Sequence, residues 1–324
     1  MKLLVAYKLN KELTDLIIQK VGNEVEVAFL MHHGDDERKK LIEDADIILS
    51  MNFRRDIRED EFHHIKNAKL IHITLAGADI IPYDKLNPDI TICSNSGAYS
   101  SPIAEHAIGM MLALARSFLS LHNELGKGVF DQTTKHKMLD GSTLGIIGFG
   151  GIGKRTAEIA RAFGMKIFAI NTSGKTDEEV GFIGTLSDLG HVLHESDFLL
   201  LSISLNKKTK ALIGKEQLES MKPDAIMVNV ARGDLIDETA LYQHLGSHPN
   251  FKVGIEAWWI EPFNFPKFET HYPFFSLPNF LGSPHNSWLI EGILMKALDS
   301  ALDNILRFIR GEVPRNIQRR EDYL

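Results

Sequence analysis

The 324 residues carry 36 Lys and Arg against 43 Asp and Glu, a formal charge of -7, and 44% are hydrophobic. That length exceeds one ordinary domain and suits two of roughly 150 residues each. The composition excludes general disorder, and the negative balance argues against a surface built for nucleic acid or an anionic membrane, though not against a local positive pocket for a small anion.

From the first residue, Met1–Lys8 holds too short an apolar run for a signal peptide. The longest apolar stretch, Ala107 to Ala115, falls well short of the ~20 residues a membrane span needs. A soluble, cytoplasmic protein is expected. The single cysteine, Cys93, lies in the apolar run Ile90–Cys93 and reads as core; one thiol forms no internal disulfide, which fits a reducing compartment.

Strand-like runs are expected at Leu3–Tyr7, Val25–Phe29, Ile47–Ser50, Leu70–Leu75 and Ile90–Cys93, separated by charged, helix-compatible segments such as Asp35–Asp44. Ser101, Pro102 and Glu105 then supply a capping hydroxyl, a first-turn proline and an early acid for a helix of about 25 residues. Its apolar girth predicts burial between lobes or against a second subunit. A second strand set follows: Leu144–Gly148, Lys166–Asn171, Phe198–Ser204, Ala225–Val230, Val253–Ala257 and Phe280–Ser283. A helix near Ile290–Arg310 returns toward the first lobe, and the polar tail Arg315–Leu324 receives no structure. The alternation predicts an α/β fold of two doubly wound parallel-sheet lobes.

Gly148-Phe149-Gly150-Gly151-Ile152-Gly153 follows a strand and opens a helix, which is the context a dinucleotide fingerprint requires. The first glycine makes the turn, the second admits a pyrophosphate to the backbone, and the third lets helix and strand close. The next strand ends at Asn171, about twenty residues past Gly150, where an acid would hold the adenosine ribose. A neutral amide there, with Thr172, Ser173 and Lys175 following, favours NADP(H); the absence of an arginine leaves NAD(H) open.

Arg232, Glu261 and His285 each follow an apolar strand. In an open α/β sheet ligands bind at that end of the strands. A guanidinium matches a carboxylate bidentately, an imidazole donates protons near neutrality, and a neighbouring carboxylate favours its charged form. Together with the glycine fingerprint they are the parts needed to reduce a 2-keto acid.

Over nearly its whole length the chain resembles the D-isomer-specific 2-hydroxyacid dehydrogenases. The likeness rests on Gly148–Gly153, Val228-Asn229-Val230-Ala231-Arg232-Gly233, Glu256 through Glu261-Pro262, and Ser283-Pro284-His285-Asn286. It implies a flavodoxin-like substrate domain at 1–100 plus 289–324 and a Rossmann cofactor domain at 101–288. It implies that His285 is the acid/base, Glu261 its orienting carboxylate, and Arg232 the holder of the substrate carboxylate. Ala76, Gly77 and Ala78 resemble the loop whose backbone N–H groups also hold that carboxylate. Ser204, Thr209, Val230, Ala231 and Glu256 fall on the cofactor side, and Asn95, Gly97 and Ala104–His106 match the lobe connection. A small 2-keto or 2-hydroxy acid substrate of glyoxylate, hydroxypyruvate or pyruvate type, and a homodimer, are the implied partners.

Departures from the pattern are Glu256 in place of aspartate, the neutral Asn171, and a Ser204–Thr209 loop without the usual proline. Trp258, Trp259 and Trp288 replace smaller residues and read equally as pocket walls, core or subunit contact. No metal site is expected: the pairs His32-His33 and His63-His64 point apart, and the run His191-Val192-Leu193-His194-Glu195 has helical ligand spacing but no further ligand to complete a site. Alternatives are a dinucleotide-sensing scaffold like the C-terminal binding protein corepressors, or a dehydrogenase for a larger or phosphorylated acid, which Arg54 and Arg55 keep open.

Overall fold

Runs of Ile, Leu and Val buried on both faces form parallel strands because helices cover each side of the sheet. A computed structural model describes residues 1–324 and holds two such sheets, in two units: Met1–Tyr99 with Glu291–Leu324, and Ser100–Ile290.

The first unit runs β1 (Lys2–Val5), α1 (Lys11–Val21), β2 (Glu26–Phe29), α2 (Asp35–Asp44), β3 (Ile47–Ser50), the single turn α3 (Phe53–Asp56), β4 (Leu70–Ile73) and β5 (Thr91–Ser94). Its strands lie in the order β2-β1-β3-β4-β5, all parallel, which is the flavodoxin-like order. Asn10 caps α1 by accepting the Leu13 N–H at 2.9 Å.

The second unit runs α4 (Ser100–Ala115), α5 (Phe118–Gly126), β6 (Thr143–Ile147), α6 (Gly151–Ala162), β7 (Lys166–Ile170), β8 (Phe182–Gly184), α7 (Leu189–Glu195), β9 (Phe198–Leu201), α8 (Lys215–Ser220), β10 (Ile226–Asn229), α9 (Glu238–Ser247), β11 (Lys252–Ile255) and β12 (Phe280–Gly282). Its order is β12-β11-β10-β9-β6-β7-β8, again all parallel. Strand order reverses between β6 and β9, the switch point where an open sheet leaves a crevice. The last helix, α10 (Ile293–Ile309), packs on α1 and β4 of the first unit.

Several expectations change. The helix at Ser101 starts at Ser100, so Ser101 lies inside its first turn. It is also two helices, because Ser117 adopts a left-handed φ of 54°. The Lys252 ammonium donates to the Leu114 carbonyl and the Ser117 hydroxyl, both at 2.8 Å, and so caps α4 where the longer helix would continue. The buried α4 packs on α6, β10 and β11 of its own unit, while no residue of α5 is buried. The edge strand β8 is an addition, too short and glycine-ended to read from sequence.

The tail is ordered rather than structureless. Edge strand β5 exposes backbone groups that need partners, and Asn316–Gln318 supplies them: Ser94 N–H to Asn316 O at 3.3 Å and Gln318 N–H to Ile92 O at 2.8 Å. Tyr323 stacks on Tyr83 at 4.6 Å, and Arg320 donates to the carbonyls of Tyr83, Leu86 and Asn87. Cys93 is fully buried in this unit's core, and desolvation pushes its thiol up to about 12.

Candidate active site

Parallel register aligns the carboxyl ends of five strands. Ile147, Leu201, Asn229, Ile255 and Gly282 are successive lateral partners across β6, β9, β10, β11 and β12. The glycine loop, the Arg232 turn, the Glu256–Glu261 loop and His285 all leave the sheet just beyond this row. Neighbouring strands sit about 4.8 Å apart, so residues distant in sequence are carried to one edge.

The three glycines of the fingerprint differ in what surrounds them. Gly148 has φ +103°, and a Cβ there would come within 2.5 Å of the Ile203 backbone nitrogen. At Gly153 a Cβ would meet the Gly148 carbonyl oxygen at 2.5 Å, so only glycine lets α6 close on β6. At Gly150 a Cβ meets nothing within 4 Å, leaving open space before the N-terminus of a 12-residue helix. A pyrophosphate fits that cradle. The buried Phe149, with Gly151 and Ile152, continues the turn into α6.

Asn171 closes its own loop. Its Oδ1 accepts the N–H groups of Ser173 (3.0 Å) and Gly174 (2.7 Å), and its Nδ2 donates to the Lys175 carbonyl at 2.8 Å. Thr172, Ser173 and Lys175 are exposed around this ring. The Thr209 hydroxyl, also buried, donates to the Ser204 carbonyl at 2.8 Å and accepts the Asn206 N–H at 2.8 Å, which shapes the loop after β9.

Arg232 is presented by the fully buried Asn229, an organiser that sequence reasoning did not single out. Asn229 accepts the Ala231 N–H at 3.0 Å and donates to the Arg232 carbonyl at 2.7 Å, while the half-buried Arg232 donates from Nη1 to the Ala231 carbonyl at 2.7 Å. Val230 and Ala231 are buried beneath it.

Glu261 and His285 meet directly: Nδ1 lies 2.8 Å from both carboxylate oxygens. Both side chains are largely withdrawn from solvent, at 7% and 15% exposure, which strengthens the pair. Glu256 is fully buried; one oxygen accepts the Ser287 N–H at 2.8 Å, and the other has no partner and lies 4.0 Å from His285 Nε2. Glu261 and His285 themselves line a hollow of about 500 Å³ together with Trp258, Phe263, Phe268 and Phe275.

In the first unit, Ala76 and Gly77 are half-buried and Ala78 is buried in the loop after β4. Asn95 holds the start of this loop, its N–H on the Leu75 carbonyl at 2.9 Å and its amide on Thr74 O and Ala297 O. Arg54 donates to the Ile80 carbonyl at 2.9 Å, so its guanidinium is tied to the loop's far end.

Comparison with known proteins fits this geometry. Residues 108–287 match the model of the D-isomer specific 2-hydroxyacid dehydrogenase NAD binding domain. The chain belongs to that family. It is 35% identical to a hydroxypyruvate reductase of Thermotoga maritima over 86% of this chain and 88% of the relative. A glycerate dehydrogenase of Methylorubrum extorquens is 32% identical over 81% and 82%. The solved glyoxylate reductase of Paecilomyes thermophila superposes with a TM-score of 0.82, at 25% identity and 99% coverage of both chains. This dehydrogenase is thus an oxidoreductase with a nicotinamide-cofactor domain and two parallel α/β sheets.

Within the dehydrogenase the three tryptophans separate. The Trp259 ring stacks on Phe274 and its indole donates to Ile236 O, so it is core. Trp258 instead donates to Glu261 and to the Ser283 carbonyl, two residues before His285. Trp288 is half-buried just past His285. No helix is long and apolar enough to cross a membrane.

Proposed function

We propose that this enzyme reduces a small 2-keto acid, of glyoxylate, hydroxypyruvate or pyruvate type, to the D-2-hydroxy acid. The observation that carries the reading is the His285–Glu261 pair, which, like Arg232 and the glycine cradle, follows strand ends aligned in one register row. The relatives named for hydroxypyruvate and glyoxylate reduction support the substrate class.

When bound, the nicotinamide supplies the hydride for the substrate's C2. Each protein group then has a defined task. Gly148–Gly153 receives the pyrophosphate, with Ser204, Thr209, Val230 and Ala231 along the cofactor's flank. Arg232 holds the substrate carboxylate by a bidentate pair and stabilises charge growing on the carbonyl oxygen. His285 donates from Nε2, because Nδ1 is committed to Glu261. The orphaned oxygen of Glu256 is an acceptor suited to the carboxamide N–H₂ of the nicotinamide.

NADPH is the proposed reductant. The neutral Asn171 offers no repulsion to a 2′-phosphate, and Thr172, Ser173 and Lys175 are exposed donors beside it. The buried, free Cys93 is in keeping with the cytoplasmic compartment this reading assumes. The exposed apolar residues Phe118, Leu119, Leu125 and Phe130 favour a homodimer that covers them, since monomers seldom leave such patches open.

The test is cofactor oxidation by purified protein across glyoxylate, hydroxypyruvate and pyruvate, with NADPH and NADH in parallel. Turnover with a higher kcat/KM for NADPH supports the reading. No oxidation of either cofactor would favour a dinucleotide-sensing scaffold.

A further inference from the structure

We propose that Trp258 is a positioning residue for the acid/base pair, acting through its indole N–H. The proposal rests on the reading of His285 as proton donor and assigns a task to a residue outside that chemistry.

Trp258 is the common neighbour of the site's three loops. Its backbone N–H donates to Glu261 Oε2 at 3.0 Å. Its indole Nε1–H donates to the Ser283 carbonyl at 2.7 Å, two residues before His285. Its own carbonyl carbon lies where a Cβ on Gly233, the residue after Arg232, would come within 2.4 Å. A Cβ on Gly282 would meet the indole carbons at 2.8 and 2.9 Å, so the ring packs against the end of β12 because that position is glycine. Phe268, Phe275 and Phe280 hold the indole at centroid distances of 4.9, 5.5 and 5.9 Å.

The need for such a tether is visible in the backbone. His285 has φ +51°, a left-handed conformation that costs free energy in any residue with a Cβ and persists only where its surroundings impose it. The chain is pinned on both sides of it: Ser283 by the indole of Trp258, and Ser287 by the Glu256 carboxylate. One tryptophan thus fixes the carboxylate that orients the imidazole and the strand end that carries it. Trp259 makes the same kind of bond, indole to carbonyl at 2.8 Å, but to Ile236, away from the pair.

Trp258→Phe keeps an aromatic ring in the cluster and removes the indole N–H donor together with part of the ring, the same truncation that Trp259→Phe makes. With hydroxypyruvate or glyoxylate as substrate, kcat is expected to fall about tenfold, the effect of one lost oriented hydrogen bond, with both KM values within about twofold. In a Glu261→Gln background the same change should cost less than about twofold, because the two residues act on one imidazole. Trp259→Phe is the control and should keep the wild-type kcat. In the free protein, the downfield N–H proton signal of His285, identified by its loss in His285→Asn, should shift or broaden in Trp258→Phe and not in Trp259→Phe.

Wild-type kcat and an unmoved His285 signal in Trp258→Phe would overturn the proposal. So would a loss that multiplies in full in the Glu261→Gln background, or an equal loss in Trp259→Phe. Should Trp258→Phe not fold, Gly282→Ala, which pushes the indole off Ser283, is judged by the same criteria. Should the wild type reduce no 2-keto acid, the functional reading fails, and the proton signal alone decides the role of Trp258.

Discussion

Nδ1 of His285 lies 2.8 Å from each carboxylate oxygen of Glu261, so Nδ1 is committed to that carboxylate and the proposed mechanism assigns proton donation to Nε2. Removing that carboxylate frees the ring and the tautomer together. Glu261→Gln should lower kcat by on the order of 10²-fold or more, with little change in cofactor binding. Steady-state kinetics alongside fluorescence titration of NADPH checks both halves. Unchanged kcat would remove Glu261 from the mechanism.

Arg232 differs from lysine by its planar fork. Arg232→Lys keeps the positive charge but loses bidentate contact, and kcat/KM for the keto acid should drop about 10²- to 10³-fold through both constants. Equal kinetics for the two residues would show that only charge matters there.

Asn171 sits where a ribose-binding acid is expected, and its amide closes the Asn171–Lys175 loop. Asn171→Asp places a carboxylate in that loop, which repels a 2′-phosphate. The ratio of kcat/KM for NADPH to that for NADH should fall at least about tenfold, equivalent to ~1.4 kcal/mol. An unchanged ratio would contradict the cofactor proposal.

His72 gives a pH dependence unrelated to turnover. It is wholly buried in β4, where desolvation lowers its pKa to about 4; Asn304 Nδ2 is 3.1 Å from its Nε2. Between the ordinary value of 6.5 and about 4, the unfolded chain binds a proton that the native protein refuses. Stability is therefore intact above pH 6.5 and lost as pH falls toward 4, by up to about 1.4 kcal/mol per pH unit from this group. Urea unfolding at pH 7 and pH 5 should show a smaller loss in His72→Gln than in the wild type. His244, lowered by burial to about 4 as well, contributes to both proteins alike and cancels from the comparison. Parallel losses would sink the assignment to His72.

Much of this was legible in the chain because the strands are short, apolar and buried on both faces. Their ends mark where ligands can bind, and Arg232, Glu261 and His285 each stand just past one. The glycine pattern was readable for the same reason: Gly148 and Gly153 have no room for a side chain. The misses depend on partners distant in sequence. The break at Ser117 is set by Lys252, and the ordered tail by the open edge of β5. Asn171 could be placed from sequence, yet its amide's use in its own loop could not. Trp258 and Trp259 are adjacent identical residues, and only the fold sends one indole to Ser283 and the other to Ile236.

The most direct test of the central claim is NADPH oxidation by the wild type and His285→Asn with saturating hydroxypyruvate, following the chirality of the product. The account predicts D-glycerate from the wild type and a kcat lower by about 10²- to 10⁴-fold in the variant, the loss expected for a missing general acid. An L-configured product, or a variant as fast as the wild type, would contradict it.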